Sequence, residues 1–322
     1  MEIVFLLLGL LGLWVGSEYV VKACRSIARR FGISEFLIGL TIVSIGTSLP
    51  EIMVTTFSGA NGASDVAIGS MIGSCLAQIT IILGIAAIIH DVHAQKKAMQ
   101  VDGPMMLIGI LVFGMLLYSG GELTRFEGIL MIWIYFAYIW FTAHNDVIRE
   151  NKKKLGLHQP TGKPFIFGLS QFALGMVILL GSAHFVLENS VTLARNYGLS
   201  EAFIGVMIIG VASCLPELST AVVGMWKKAP SLAIGTLIGS NITDPLLSTG
   251  IGSLFNGFQT NMDMLRFDLP FWFLSSCLAL FLIHRRSETL HRGQAIILVV
   301  VYLLFVLMKV GLVPIPGWMT LF

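Results

Sequence analysis

The stretch GTSLPE at residues 46–51 has a counterpart later in the chain, where residues 213–217 read SCLPE. Glu217 follows Glu51 by 166 positions, and the same offset relates other segments of the two halves. The matching pairs are FGISEFLIGL at 31–40 with YGLSEAFIGV at 197–206, AIG at 67–69 with AIG at 233–235, and IGS at 72–74 with IGS at 238–240. A constant offset that preserves both proline and glutamate indicates two copies of one structural unit rather than chance similarity of apolar segments.

The composition points to lipid as the solvent of this chain. Of its 322 residues, 56% are hydrophobic and 12% are charged, and the mean hydropathy is +0.86. Soluble domains carry about 25% charged residues, so the chain has about half the usual charge. This excludes a soluble or a disordered protein. The net charge of +2, without a basic patch that alternates with exposed aromatic residues, argues against nucleic acid as a partner.

Apolar runs of the length that crosses a bilayer, about 20 residues, follow one another along the chain. The predicted spans are approximately 3–22, 34–58, 66–89, 103–119, 126–143, 165–188, 200–225, 231–254, 269–284 and 294–311. The one long polar break carries five basic residues and lies at 144–164. We therefore predict a first half at 1–143, a short basic cytoplasmic loop at 144–164, and a second half at 165–322.

Five helices in each half place the two copies in the membrane in opposite senses. We predict an all-α integral membrane protein of ten transmembrane helices, arranged as two inverted-topology five-helix repeats. In secondary transporters of this architecture, the substrate site lies near the bilayer midplane where the repeats meet. The same topology places sixteen Lys and Arg residues on one side and four on the other. By the positive-inside rule, the central loop is cytoplasmic and both termini lie outside the cell (inner) membrane.

Three acidic residues fall in the middle of apolar runs: Glu51, Glu217 and Asp244. A charged side chain at that depth costs at least about 2.5–3.5 kcal/mol, so it normally faces a partner or a wet cavity. No Lys or Arg lies at a comparable depth in the sequence. A bound cation is therefore the natural source of the missing positive charge.

Each of the two glutamates directly follows a proline, Pro50 or Pro216. Because proline removes a backbone hydrogen bond, we expect the second and seventh helices to kink near Gly46 and Ala212. The freed carbonyls would be those of Ser44, Thr47, Gly210 and Ser213. Carboxylate, hydroxyl and carbonyl oxygens are the ligands that Ca²⁺ prefers. A kink that serves packing alone, with a protonated and hydrogen-bonded glutamate, is the structural alternative.

The third and eighth helices supply a second matching element. Ser74 and Gln78 lie four residues apart, as do Ser240 and Asp244, so each pair shares one helix face. The glycines around them form small-xxx-small patterns that let helices approach closely. We expect these two faces to close around the glutamates of the second and seventh helices.

The paired motifs GTSLPE with IGSCLAQ (72–78), and SCLPE with IGSNITD (238–244), resemble the alpha repeats of the calcium/cation antiporter superfamily, and prokaryotic sodium/calcium exchangers in particular. The resemblance implies a central calcium site on Glu51 and Glu217, flanked by sodium sites. The ligand positions that it implies are Ser44, Thr47, Ser48, Glu51, Ser74 and Gln78 in the first repeat, and Gly210, Ser213, Cys214, Glu217, Ser240 and Asp244 in the second.

Three residues depart from the pattern of the superfamily. Gln78 stands where asparagine is usual, Ser213 replaces threonine, and Cys214 replaces the serine that would match Ser48. Sulfur is a soft ligand and a poor one for Na⁺ or Ca²⁺, so Cys214 puts one sodium site in doubt. The expected function is an antiporter that exchanges Ca²⁺ for Na⁺. A proton-coupled or potassium-dependent antiporter of divalent cations is the alternative.

Other classes of function fit the residues less well. A cation channel usually surrounds its pore with symmetric subunits, and an enzyme would need a nucleophile with a base within reach. We expect no enzymatic activity and no resident cofactor. The expected partners are Ca²⁺ and Na⁺, with H⁺ or K⁺ as the alternative coupling ions, and the surroundings are the lipid bilayer. A monomer should be sufficient for transport. The first and sixth helices are candidates for a sliding gate because of their glycines, Gly9, Gly12, Gly16, Gly175 and Gly181.

Overall fold

The computed structural model describes residues 2–96, 98–154, 165–196, 213–259, 264–285 and 287–314. The helices are α1 Glu2–Phe31, α2 Glu35–Thr47, α3 Leu49–Ala60, α4 Ser64–Ile89, α5 Gly103–Gly120, α6 Arg125–Lys154, α7 Phe165–Asn196, α8 Leu215–Trp226, α9 Pro230–Thr243, α10 Thr249–Asn256, α11 Leu269–Arg285 and α12 Arg292–Lys309. Segments of π-helix occur at Gly39–Val43 in α2, Gln78–Ile82 in α4, Asp244–Ser248 between α9 and α10, Ala98–Asp102 before α5 and Met264–Asp268 before α11. Four two-residue strands complete the described part: β1 Val92–His93, β2 Glu122–Leu123, β3 Phe258–Gln259 and β4 Thr289–Leu290.

The prediction of an all-helical membrane protein is confirmed. Among the described residues, seven helices are long and apolar enough to cross a membrane, and the bent pair α2 and α3 counts as an eighth span. The eighth predicted span, 231–254, is a continuous helical run from α9 through α10. The seventh, 200–225, is described only from Ser213 onward. The count of ten helices therefore stays a prediction.

The bounds of the secondary-structure elements repeat with the sequence offset. Helix α3 corresponds to α8 at an offset of 166, and four of the five described π-helical segments form pairs in the same way. Segment Gln78–Ile82 matches Asp244–Ser248, segment Ala98–Asp102 matches Met264–Asp268, and strand β1 matches β3. The correspondence thus extends beyond the motifs that reveal it in the sequence, and it includes the irregular turns of the helices.

The short strands join the two halves to each other. Strand β1 pairs antiparallel with β4, and β2 pairs antiparallel with β3. Each pair contains one strand from either half, and β1 and β3 are counterparts in the repeat. This mutual exchange of partners is the pattern that a two-fold relation between the halves would produce.

Helices α2 and α9 cross at very short range in the core. A methyl group on Gly39 would lie 2.4 Å from the carbonyl oxygen of Leu232, and one on Gly235 would lie 2.4 Å from that of Phe36. A methyl group on Gly239 would likewise lie 2.6 Å from the Leu40 carbonyl oxygen. The small-xxx-small pattern of α9 therefore serves close packing, which brings the polar faces of α2 and α9 together.

Gly235→Ala is expected to lower the stability of the protein. Because the added methyl group meets a backbone oxygen that cannot rotate away, the substitution should cost about 1–3 kcal/mol. Thermal unfolding in detergent, followed by tryptophan fluorescence, measures the effect. The matched control is Gly181→Ala, since a methyl group there meets no described atom within 4 Å. Equal melting temperatures for the two variants would contradict the close crossing of α2 and α9.

Helix α1 packs lengthwise against α7, as the glycines suggest. A methyl group on Gly16 would lie 2.6 Å from the backbone nitrogen of Leu179, and one on Gly175 would lie 2.9 Å from that of Val20. Gly9 and Gly12 also face α7 at short range. Gly181 does not belong to this contact. The two helices form a closely packed pair, and their role as a sliding gate stays a prediction.

Candidate cation site

The helix break before the first glutamate confirms the predicted kink but lies two residues after its predicted position. Helix α2 ends at Thr47 and α3 begins at Leu49, with a bend of 46° between them. The break falls at Ser48 rather than at Gly46. The Ser44 carbonyl is not freed as expected, because it accepts the backbone N–H of Ser48 at 2.9 Å. The helical geometry is therefore lost for one residue only.

The second half repeats this arrangement at the start of α8. Cys214 precedes the helix with φ −91° and ψ 10°, close to the φ −78° and ψ 5° of Ser48. Pro216 occupies the first turn, as Pro50 does in α3. Gly210 and the expected kink near Ala212 lie outside the described residues.

Glu51 and Glu217 are both buried, with 2% and 0% of their surface exposed. None of their four carboxylate oxygens has a hydrogen-bond partner among the described residues. Glu51 interacts electrostatically with Glu217 and with Asp244, which is also fully buried. The buried residues of the described part include no Lys or Arg. Three acidic side chains thus share a buried region without a protein cation to balance them.

Hydroxyl groups of the first half face the acidic residues of the second half. Thr47 lies beside Glu217, and Ser48 lies beside Asp244. The Thr47 hydroxyl donates to the Val43 carbonyl at 3.0 Å, so its lone pairs stay available. The Ser48 hydroxyl has no hydrogen-bond partner of good geometry among the described residues. Both hydroxyls can offer an oxygen lone pair to a hard cation.

The remaining predicted side chains differ in their hydrogen bonds. The Ser240 hydroxyl is buried without a partner in the described ranges. Ser44 donates to the Leu40 carbonyl at 2.7 Å, and Ser74 donates to that of Met71 at 3.1 Å. The Cys214 thiol lies 3.6 Å from the Ser74 carbonyl oxygen and 3.7 Å from the Ser213 hydroxyl.

Gln78 and Asp244, which are counterparts in the repeat, contact each other directly. The Gln78 amide nitrogen lies 3.1 Å from Oδ2 of Asp244. The Cys75 thiol lies 3.6 Å from the same oxygen. On the other side, the Asn241 amide nitrogen donates to Oε1 of Gln78 at 2.9 Å, and the Trp272 indole nitrogen donates to Oδ1 of Asn241 at 3.1 Å.

Sequence reasoning did not single out Cys75, Asn241 or Trp272 as part of this region. Asn241 lies within the motif IGSNITD, but its counterpart at the offset is Cys75, so the repeat hides it. A signal was present, since Asn241 lies within a largely apolar predicted span and a buried amide needs a hydrogen-bond partner. Trp272 lies one helix further along the chain, and only the tertiary fold brings its indole to Asn241.

The arrangement can hold a cation only with help from oxygens other than carboxylates. Across the ranges that the structure describes, no three Asp, Glu, His or Cys side chains converge closely enough to bind a metal ion by themselves. Hydroxyl and carbonyl oxygens would have to complete the six to eight ligands that Ca²⁺ takes. The hydroxyls of Thr47 and Ser48, which lie beside acidic side chains, are candidates for that role, and the buried Ser240 hydroxyl is a further candidate.

Comparison with known proteins identifies the family. The model of the family "sodium/calcium exchanger protein" matches residues 1–143 and 167–311. The inner membrane protein YrbG of Escherichia coli (strain K12) is 29% identical over 316 residues, which cover 96% of this chain and 97% of YrbG. The sodium/calcium exchanger MaX1 of Methanosarcina acetivorans is 28% identical over 337 residues, with 93% and 96% covered.

A solved structure has the same fold. The sodium-calcium exchanger NCX_Mj, soaked with 10 mM Na⁺ and zero Ca²⁺, superposes with a TM-score of 0.80 at 25% identity, over 94% of this chain and 97% of that one. The fold, the two matched halves and the full-length relatives agree. The chain belongs to the sodium/calcium exchanger family, and it is a multi-pass membrane transporter rather than an enzyme.

Proposed function

We propose that this chain exchanges Ca²⁺ for Na⁺ across the cell (inner) membrane by alternating access, with Glu51 and Glu217 at the central cation site. The observation that carries the proposal is the burial of both carboxylates with all four oxygens unpartnered among the described residues. Because buried ionised carboxylates need compensating charge, and the described core contains no Lys or Arg, the transported ion is the natural counter-charge.

The same charges explain why the protein would exchange ions rather than leak them. Two carboxylates close together in a medium of low dielectric constant cannot both stay ionised without a cation. A site without a bound cation therefore hinders the change between the outward-open and the inward-open state. A site neutralised by one Ca²⁺, or by Na⁺ ions, permits this change. The paired helices α1 and α7 are the elements that would slide.

The proposed ligands come from both repeats, so the site would lie where residues 1–143 and 165–322 meet. The first half contributes Glu51 with the hydroxyls of Thr47 and Ser48. The second half contributes Glu217 and the Ser240 hydroxyl. Carbonyl oxygens complete the shell, and Gly210 keeps its proposed role although it lies outside the described residues.

Uptake of radioactive Ca²⁺ into proteoliposomes tests the proposal. The vesicles are loaded with Na⁺, with K⁺ or with an acidic buffer, and all are diluted into the same external medium. Uptake that requires internal Na⁺ supports sodium/calcium exchange. Uptake driven equally well by an acidic interior would assign H⁺ as the coupling ion. Uptake only when K⁺ is present would show a requirement for potassium. An absence of uptake under every gradient would contradict Ca²⁺ as the substrate.

We also propose that residues 144–164 face the cytoplasm and that both termini face the other side. This segment contains the trypsin sites at Lys152, Lys153 and Lys154, at the C-terminal end of helix α6. Trypsin added to inverted membrane vesicles should cut the chain into two halves of similar size, whereas right-side-out vesicles should protect it. Cleavage restricted to right-side-out vesicles would show that the orientation is the opposite of the proposed one. Lysed vesicles of both kinds serve as the control for access to the loop.

A further inference from the structure

A chain of hydrogen bonds leads from helix α11 into the site and has a fixed direction. It runs from the Trp272 indole to Asn241, from Asn241 to Gln78, and from Gln78 to Asp244. All four residues are fully buried. We call this chain the amide relay. The repeat relates Gln78 to Asp244, but it does not reproduce the rest of the relay, because the counterpart of Asn241 is Cys75.

The direction of the amide relay follows from the chemistry of its first members. An indole N–H can only donate, so the atom of Asn241 that faces Trp272 must be the carbonyl oxygen. The Asn241 amide nitrogen also donates to the backbone carbonyl of Leu237 at 3.2 Å, and a carbonyl can only accept. Two independent contacts therefore fix the Asn241 amide. Its nitrogen must face Gln78, which accepts through Oε1 and turns its own nitrogen toward Asp244.

The direction of the amide relay determines which atoms face the space between Gln78 and Asp244. Oδ2 of Asp244 receives the Gln78 amide at 3.1 Å and has the Cys75 thiol at 3.6 Å. The positive ends of two dipoles thus face this oxygen, and Gln78 presents no oxygen there. Only Oδ1 of Asp244 stays without a hydrogen-bond partner of good geometry among the described residues. The side of Asp244 that faces Gln78 therefore offers a cation no free oxygen.

We propose that Trp272 and Asn241 are positioning residues that hold Gln78 as a hydrogen-bond donor to Asp244, and that this excludes a cation from the position between Gln78 and Asp244. Gln78 is then a specificity determinant and not an oxygen ligand. The amide relay sets how many Na⁺ ions the site accepts. The effect of the relay on transport rests on the proposed function. Its effect on Na⁺ binding does not, and that effect is tested first.

The experiment counts bound Na⁺ with radioactive sodium and detergent-purified full-length protein in a scintillation proximity assay. Gln78→Glu accepts from Asn241 as before but cannot donate to Asp244, so it opens the position and adds an oxygen ligand. The double variant Asn241→Leu with Trp272→Phe removes the constraint on the Gln78 amide without adding charge. Because both partners are replaced by apolar groups, it leaves no buried donor unpaired between them. Phe113→Leu is the control, since Phe113 packs edge-on against Trp272 without joining the relay.

Both the Gln78→Glu protein and the double variant are expected to bind one more Na⁺ at saturation than the wild type, and Phe113→Leu is expected to match the wild type. Equal numbers in all four proteins would overturn the inference. A gain in the Gln78→Glu protein alone would overturn the assignment of Asn241 and Trp272 as positioning residues.

A transport measurement separates this inference from the proposed function. At zero membrane potential and a tenfold Na⁺ gradient, one more Na⁺ per cycle should raise the final Ca²⁺ ratio by about tenfold. If the wild type fails to transport Ca²⁺ while the sodium counts change as expected, the proposed function fails and the amide relay stands. If the wild type transports Ca²⁺ and the variants reach the same final ratio, the amide relay does not set the stoichiometry.

Discussion

Glu51→Gln and Glu217→Gln are each expected to abolish Na⁺-driven Ca²⁺ uptake while the protein still folds. Both side chains are buried, and neither has a described hydrogen-bond partner whose loss would unfold the core. Glutamine keeps the volume but removes the charge that binds a divalent cation. Each variant keeps Asp244 but leaves only one glutamate at the proposed central site, so uptake should fall to the level of protein-free liposomes.

A matched control distinguishes the loss of the site from a general loss of negative charge. Glu188→Gln changes an exposed carboxylate that pairs with His184 on helix α7, away from the buried acidic group. It should transport at the rate of the wild type. Thermal unfolding shows whether the two site variants are folded. If a folded Glu51→Gln or Glu217→Gln protein retained wild-type uptake, the central site would not contain that glutamate.

Cys214→Ser is expected to lower the Na⁺ concentration that gives half-maximal Ca²⁺ uptake. The backbone at Cys214 matches that at Ser48, so a serine there would place a hydroxyl at the symmetric position. Because oxygen is a far better ligand for Na⁺ than sulfur, the half-saturating concentration should fall by about tenfold, or ~1.4 kcal/mol. The dependence of the initial rate on internal Na⁺ measures this.

Cys24→Ser is the control for this substitution, since it makes the same chemical change at a buried thiol of helix α1 that packs with apolar residues. It should leave the Na⁺ dependence unchanged. An equal Na⁺ dependence in the wild type and in Cys214→Ser would mean that residue 214 does not contact a transported ion.

Much of the fold could be predicted because the repeat leaves a signal that composition alone does not. The proline before Glu51 predicts a break in the second helix, and the 46° bend at Ser48 confirms it. The hydropathy of the long runs predicts the spans that the structure describes. The π-helical turns could not be predicted, because the pattern of the apolar runs does not distinguish a π-helical turn from an α-helical one. Their repetition at the same offset suggests that both halves need them.

The site is harder to predict than the fold, because its contacts join residues far apart in the sequence. The motifs identify Glu51, Glu217 and Asp244, and the structure places all three in one buried region. The expectation for the Ser44 carbonyl was wrong, since the chain resumes its hydrogen bonding within one residue of the break. The connection from Trp272 to Gln78 could not be predicted, since it depends on how helix α11 packs against α9.

The most direct test of the account is whether Na⁺ and Ca²⁺ compete for one site built on Glu51 and Glu217. Binding of radioactive Ca²⁺ to the detergent-purified protein is measured while Na⁺ is raised at constant ionic strength. The account predicts that Na⁺ displaces all of the bound Ca²⁺, and that Glu51→Gln with Glu217→Gln binds neither ion at this site. Ca²⁺ that stays bound at saturating Na⁺ would show that the two ions occupy independent sites, and it would contradict exchange through a shared one.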